Sequence, residues 1–289
     1  MKTIFAPVPA IRPAVFRLGA HWRRPAWLRL LHDSYPLLTW VGWLHVAVVA
    51  GAVILWPLDH RTVTDLNVWI KPLKFGASGV LYLWTLGWLL ADLPASTQAN
   101  VRHISRLAGI TMAGEIILIC MQAARGTTSH FNLSSPFNGA VFATMGVLIM
   151  VNTAAIVWAL RLTFRYRPAG SEAWVWGIRL GLGLFLVGSL VGGAMSSRTA
   201  HTVGAADGGA GLPLLGWSTR AGDLRTAHFL GLHALQALPL AGWLLERTAP
   251  RLRTGLQTGA MCLIALGYAG AMGWLYWQAI GGLPLLARP

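Results

Sequence analysis

Seven apolar stretches, each about twenty residues long, govern what this chain can fold into. They run over roughly 36–57, 70–91, 104–123, 136–160, 174–195, 225–246 and 255–279. A stretch of 18 or more apolar residues matches the thickness of a bilayer's hydrocarbon core when helical. The 289-residue chain is 55% hydrophobic and 11% charged, under half the charge of a soluble domain. That apolar content excludes a disordered chain, and two isolated cysteines exclude a disulfide scaffold. The net charge of +14 would suit a nucleic-acid binder only if its arginines formed a continuous surface. Here they are islands between apolar runs. The expected fold is an all-α integral membrane protein of about seven transmembrane helices: a basic tail, 1–35, then one membrane domain, 36–289.

Helix punctuation agrees with these spans. Ser135 before Pro136 reads as an N-cap followed by proline at the first helical position. Ser171 opens the fifth span, and Asp223 stands where it can cap the sixth. Lysine and arginine counts predict orientation. The tail and alternate loops carry fourteen basic residues against eight on the other side, which places the amino terminus in the cytoplasm and the carboxyl terminus outside. The tail has no apolar core of signal-peptide length. Its segment 22–31 mixes tryptophan, leucine and arginine, a pattern suited either to an interfacial helix or to a plain positive anchor. Arginine-heavy, lysine-poor usage points to a bacterial inner membrane.

Polar residues at membrane depth cost free energy and must be paired or serve a purpose. They collect toward the outer side. Lys71 and Lys74, two of only three lysines, stand three apart on one helix face, either binding an anion or snorkelling to headgroups. Glu115 is the one acid inside an apolar span, about 12 Å from its outer end at 1.5 Å per residue. The sixth span carries Arg225, His228, His233 and Gln236 as a polar stripe, with Gly231 permitting close approach. Arg125, Ser129, His130 and Asn132 lie in the outer connection between spans three and four. The Gly-rich outer loop 196–224 reads as a lid over these groups or as a passive connector.

The phrases Lys71-Pro-Leu-Lys74-Phe, Ser129-His130-Phe-Asn132 and Gly222-Asp223-Leu-Arg225-Thr-Ala-His228-Phe-Leu-Gly-Leu-His233-Ala-Leu-Gln236 resemble those of a group of uncharacterised bacterial multi-pass membrane proteins, over about residues 36–245. The resemblance implies membrane architecture and no particular chemistry. Seven helices with several histidines are also similar to the alkaline ceramidase and adiponectin-receptor superfamily of zinc hydrolases. In that family three residues separate the paired histidines of the last span; here four separate His228 from His233, in span six.

Three function classes follow from the residues. In the first, a b-type haem is held by His233 with His45 or His228 as axial ligands, and Lys71, Lys74, Arg125 and Arg225 pair with its propionates. The second is an enzyme acting on an anionic lipid or isoprenoid headgroup, clamped by Lys71, Lys74, Arg125, Asn132, Arg225 and Gln236, with Glu115, His130, His228 or His233 moving protons. The third is a proton-coupled carrier using Glu115 and His233. All three share an outward-facing site for an anionic ligand.

Overall fold

A computed structural model describes residues 31–286. Of the basic tail 1–35 only residues 31–35 are described, so the 22–31 segment lies outside the described residues apart from Leu31. The helices are α1 (Pro36–Leu55), α2 (Ile70–Leu90), α3 (Gln98–Ala124), α4 (Pro136–Arg165), α5 (Glu172–Arg198), α6 (Arg225–Thr248) and α7 (Thr254–Ile280). All seven are long and apolar enough to cross a membrane. At most 44% of any candidate span is buried within the protein. The outward surface is apolar, with Ile110, Met150, Leu190 and Leu263 more than half exposed, so it is fitted to lipid rather than water.

The spans are longer than hydropathy alone predicts where their ends are polar: α3 begins at Gln98 and α4 continues to Arg165. Backbone hydrogen bonding continues through residues that leave the hydrocarbon. The Ser135 hydroxyl accepts from Asn138 N at 3.2 Å and the Ser171 hydroxyl from Trp174 N at 3.2 Å, so both act as N-caps. At α6 the cap position is Leu224; Asp223 instead accepts the N–H of Arg225 at 3.0 Å.

Successive helices run up and down, giving the bundle two unlike ends. One carries the connections after α2, α4 and α6 with Arg102, Arg106, Arg165, Arg167, Arg251 and Arg253; it is called the arginine-rich end below. The other, the loop end, carries 56–69, 125–135 and 199–224 with two small antiparallel hairpins. β1 (Thr62–Val63) pairs with β2 (Leu66–Asn67), and β3 (Thr202–Val203) with β4 (Gly222–Asp223). Thr64 and Asp65, both at positive φ, make the two-residue turn that matches strand twist.

The largest core lies toward the arginine-rich end, where Leu38, Leu83, Leu86, Ile104, Ile156, Trp174 and Ile178 are fully buried. Trp174 donates its indole N–H to Asp92 at 2.7 Å, tying the α2–α3 connection to α5. Between the ends, Tyr82 donates to Asn152 at 2.8 Å, a polar link from α2 to α4. The most extensive helix pair is α5 with α6. Gly177 and Gly181 of α5 face backbone atoms of Leu238 and Ala234, and Gly188 faces Gly231. Small residues at such spacing let membrane helices touch backbone to backbone.

Candidate functional site

Local structure first fixes the start of α2. Asn67 accepts from Trp69 N at 3.0 Å and donates to the Asp59 carbonyl. Asp59 takes the Trp69 indole N–H at 2.9 Å and pairs with Arg61 at 2.7 Å. The Arg61 hydrogen bonds, then Trp69, hold the Asp59 carboxyl below the usual carboxylate range. Arg61 also donates to the Ala124 carbonyl at 3.0 Å, fastening this loop to the end of α3.

On that platform Lys71 places Nζ 3.2 Å from His130 Nδ1. An ammonium only donates, so Nδ1 is the acceptor and the His130 proton sits on Nε2. The Ser129 hydroxyl, 3.1 Å away, shares that nitrogen. Burial first, then the charge of Lys71 and the neighbouring His228, hold the His130 imidazole well below its ordinary range. His228, on α6, donates Nδ1–H to the Gly188 carbonyl at 2.8 Å, leaving Nε2 for another partner. Glu115 is 3% exposed, and its Oε1 has no hydrogen-bond partner. Lys71 is the cation electrostatically coupled to it. The fold thus gathers Lys71, Glu115, His130 and His228 from α2, α3, the α3–α4 loop and α6.

Two further cations hold the long loop. Lys74 donates to the Leu215 carbonyl at 2.7 Å, and Arg225 to the Gly216 carbonyl at 2.5 Å. Arg225 also grips Asp223 through Nε and Nη2, at 2.9 and 2.7 Å. Burial would raise the Asp223 carboxyl, but the Arg225 bonds and the Ser218 N–H outweigh it and hold it low. Residues 211–218 form a small hairpin, bridged between Gly211 and Ser218 and closed by Leu212 N to Trp217 O at 2.8 Å. Gly209 N donates to Asp65 at 2.7 Å, joining the two loops. The Gly-rich segment is therefore folded onto the ends of α2 and α6 that meet the loop end. Replacing Lys74 with Met should speed amide exchange at Leu212 and Gly216 about tenfold or more, given about 1.5–3 kcal/mol for a hydrogen bond to a charged group. Unchanged protection would mean the lysine does not hold the hairpin.

The other candidate residues have contacts of their own. Arg125 donates to Gln122 and Asn138 at 2.6 and 2.9 Å and covers the Phe137 ring at 4.5 Å. Asn132 bonds Thr127, Thr128 and Ser134. Both stitch the α3–α4 turn. His233 packs on Phe229, ring centres 4.2 Å apart, beneath Trp217, with Gln236 one turn further along α6. His45 donates Nδ1–H to the Val41 carbonyl at 2.8 Å, and its ring lies against Gly79 of α2. Its helix α1 packs mainly on α2 and α3. Among the described residues, no three His, Cys, Asp or Glu side chains converge as metal ligands.

His201 adds a second acid-sensitive point. It lies 3.3 Å from Asp207 and 3.8 Å from Asp223. Burial, then the Arg225 charge, lower its pKa from 6.5 to about 4. A histidine whose folded pKa is depressed favours the folded state above its unfolded pKa, and that advantage is lost as pH falls from about 6.5 toward 4. The low His130 acts in the same direction. Thermal stability should therefore fall between pH 7 and pH 5 by about 1–2 kcal/mol for His201, and His201→Asn should flatten that slope. A Tm that is level across this range would contradict the assignment.

No protein-family model, curated protein or solved structure matches the chain.

Proposed function

We propose that this multi-pass membrane protein binds an anionic ligand, bearing phosphate or carboxylate, at its loop end, with Lys71 as the central cation. The loop end faces away from the cytoplasm on the charge count, so the site opens outward. One observation carries the reading. The Lys71 ammonium, drawn into the bundle, has a neutral imidazole as its hydrogen-bond partner and no carboxylate within 4.0 Å among the described residues. A charge left so poorly compensated in a low-dielectric site attracts an anion strongly. His130 Nε2–H supplies a second donor. Lys74 and Arg225, now spent on two loop carbonyls, are released to the ligand when hairpin 211–218 lifts. The carbonyl oxygens of Leu215 and Gly216 then act as stand-ins for ligand oxygens in the closed state.

Because the cations sit at the ends of apolar helices, an amphipathic anion suits the site, its head among them and its tail in lipid. The coupled series Glu115, Lys71, His130 and His228 favours, as a second reading, proton transfer to or from that ligand, as in an intramembrane enzyme or a proton-coupled carrier. Mass spectrometry of the intact protein released from its detergent micelle tests the first reading. It should show an anionic molecule retained by the wild type and lost from Lys71→Met. Identical spectra with nothing retained, or a ligand indifferent to Lys71, would oppose it.

A further inference from the structure

The arginine-rich end holds a feature of its own, remote from the lysine cluster. A cleft of about 60 Å³ lies between the start of α1 and the first turns of α3, lined by Ser34, Tyr35, Leu37, Arg102, Ser105 and Arg106. That room suffices for a few waters or one small tetrahedral group.

Its chemistry is one-sided. Arg102 and Arg106 are one turn apart and point to one face of α3, and among the described residues neither is paired with a carboxylate. Helix α1 begins here with Pro36 in its first turn and no side chain capping it. Pro36 has no N–H and Thr39 N donates to the Tyr35 carbonyl at 3.1 Å, which leaves the N–H groups of Leu37 and Leu38 at the positive end of the helix dipole. Ser105 is 3% exposed, yet its hydroxyl has no hydrogen-bond partner among the described residues. A buried hydroxyl without a partner costs about 1–3 kcal/mol, and a ligand oxygen in the cleft would satisfy it. Tyr35 is already engaged, donating to Gln98 at 2.6 Å, so it shapes the wall rather than binding.

We infer that this cleft is a second binding site, for a phosphate-type oxyanion, held by the paired guanidinium groups of Arg102 and Arg106, the Ser105 hydroxyl and the free N–H groups at the start of α1. Guanidinium forks match phosphate oxygens in pairs, and a helix N-terminus completes such a site. The ligand is either free phosphate or the phosphate of a lipid headgroup at that face of the bilayer; the chemistry is shared.

Calorimetric titration of the detergent-solubilised full chain with inorganic phosphate, and separately with dioctanoyl phosphatidylglycerol, distinguishes the sources. Binding of the lipid alone identifies a headgroup site, and binding of inorganic phosphate identifies a site for the free oxyanion. In either case Arg102→Gln with Arg106→Gln should weaken binding about tenfold or more, since charge-assisted bonds are about twice as strong as neutral ones. Arg102→Lys with Arg106→Lys, which keeps the charge that orients the chain, should still weaken it, because the fork is lost. Ser105→Ala should weaken it severalfold with the bundle intact. Each titration is read in the Lys71→Met background, so that anion binding at the loop end is not counted. The inference is overturned if neither probe binds, or if the Ser105 variant and both arginine pairs bind as the wild type does.

Discussion

Gly188→Leu should cost the protein more stability than any other single change considered, lowering Tm in detergent by about 10 °C or preventing accumulation of folded protein. A Cβ built on Gly188 would lie 2.8 Å from the backbone of Gly231, and one built on Gly231 would lie 2.5 Å from Gly188 Cα. What stands in the way is main chain, which cannot change rotamer, so α5 and α6 must separate. Overpacking a core costs about 1–3 kcal/mol and sometimes more. Here it acts at the most extensive helix interface and also displaces the Gly188 carbonyl that orients His228. About 3 kcal/mol corresponds to about 10 °C in a chain of this order of size. Gly183→Leu is the matched control, on the same helix with nothing within 4 Å of its Cβ. It should be close to neutral. Equal Tm values for the two variants would show that the glycine contact is not a structural requirement.

The second large effect is expected at Lys71. Replacing it with Met keeps most of the aliphatic stem while removing the charge and its contact over the Phe75 ring. If an anion binds against this ammonium, losing a buried charge-assisted contact should weaken binding about a hundredfold, near 3 kcal/mol. Folding should survive, because the lysine has no carboxylate partner to be stranded by its loss. Glu115 is the group most affected in the free protein, as its coupled cation disappears. Lys74→Met makes a contrasting variant: it loosens hairpin 211–218 and removes only a peripheral donor, so its binding loss should be smaller.

The spans were legible because hydropathy is a sum over many residues, and a few polar positions do not disturb it. Ser135-Pro136 and Ser171 were legible because capping is local in sequence. The pairing of Lys71 with His130, 59 residues apart, depends on how α2 meets the α3–α4 loop. Sequence placed both residues on one side of the membrane and went no further. Arg125 and Asn132 looked like ligand contacts by residue type, but their partners are neighbours within the turn, and type alone does not separate those uses. The bonds from Lys74 and Arg225 to Leu215 and Gly216 left no trace in the sequence, since backbone carbonyls are common to every residue. Some signals were readable and went unread. Gly177, Gly181 and Gly188 repeat at intervals of four and seven along α5, and Asn152 is a lone amide in an apolar run that meets Tyr82.

The loop end is proposed as an anion site centred on one lysine. Calorimetric titration of the purified full chain with inorganic pyrophosphate, wild type beside Lys71→Met, tests this most directly. Saturable binding by the wild type is the predicted result, with the component held by Lys71 weakened about a hundredfold in the variant and that same component unaffected by Arg102→Lys with Arg106→Lys. Equal binding by wild type and variant, or no binding by either, would contradict it.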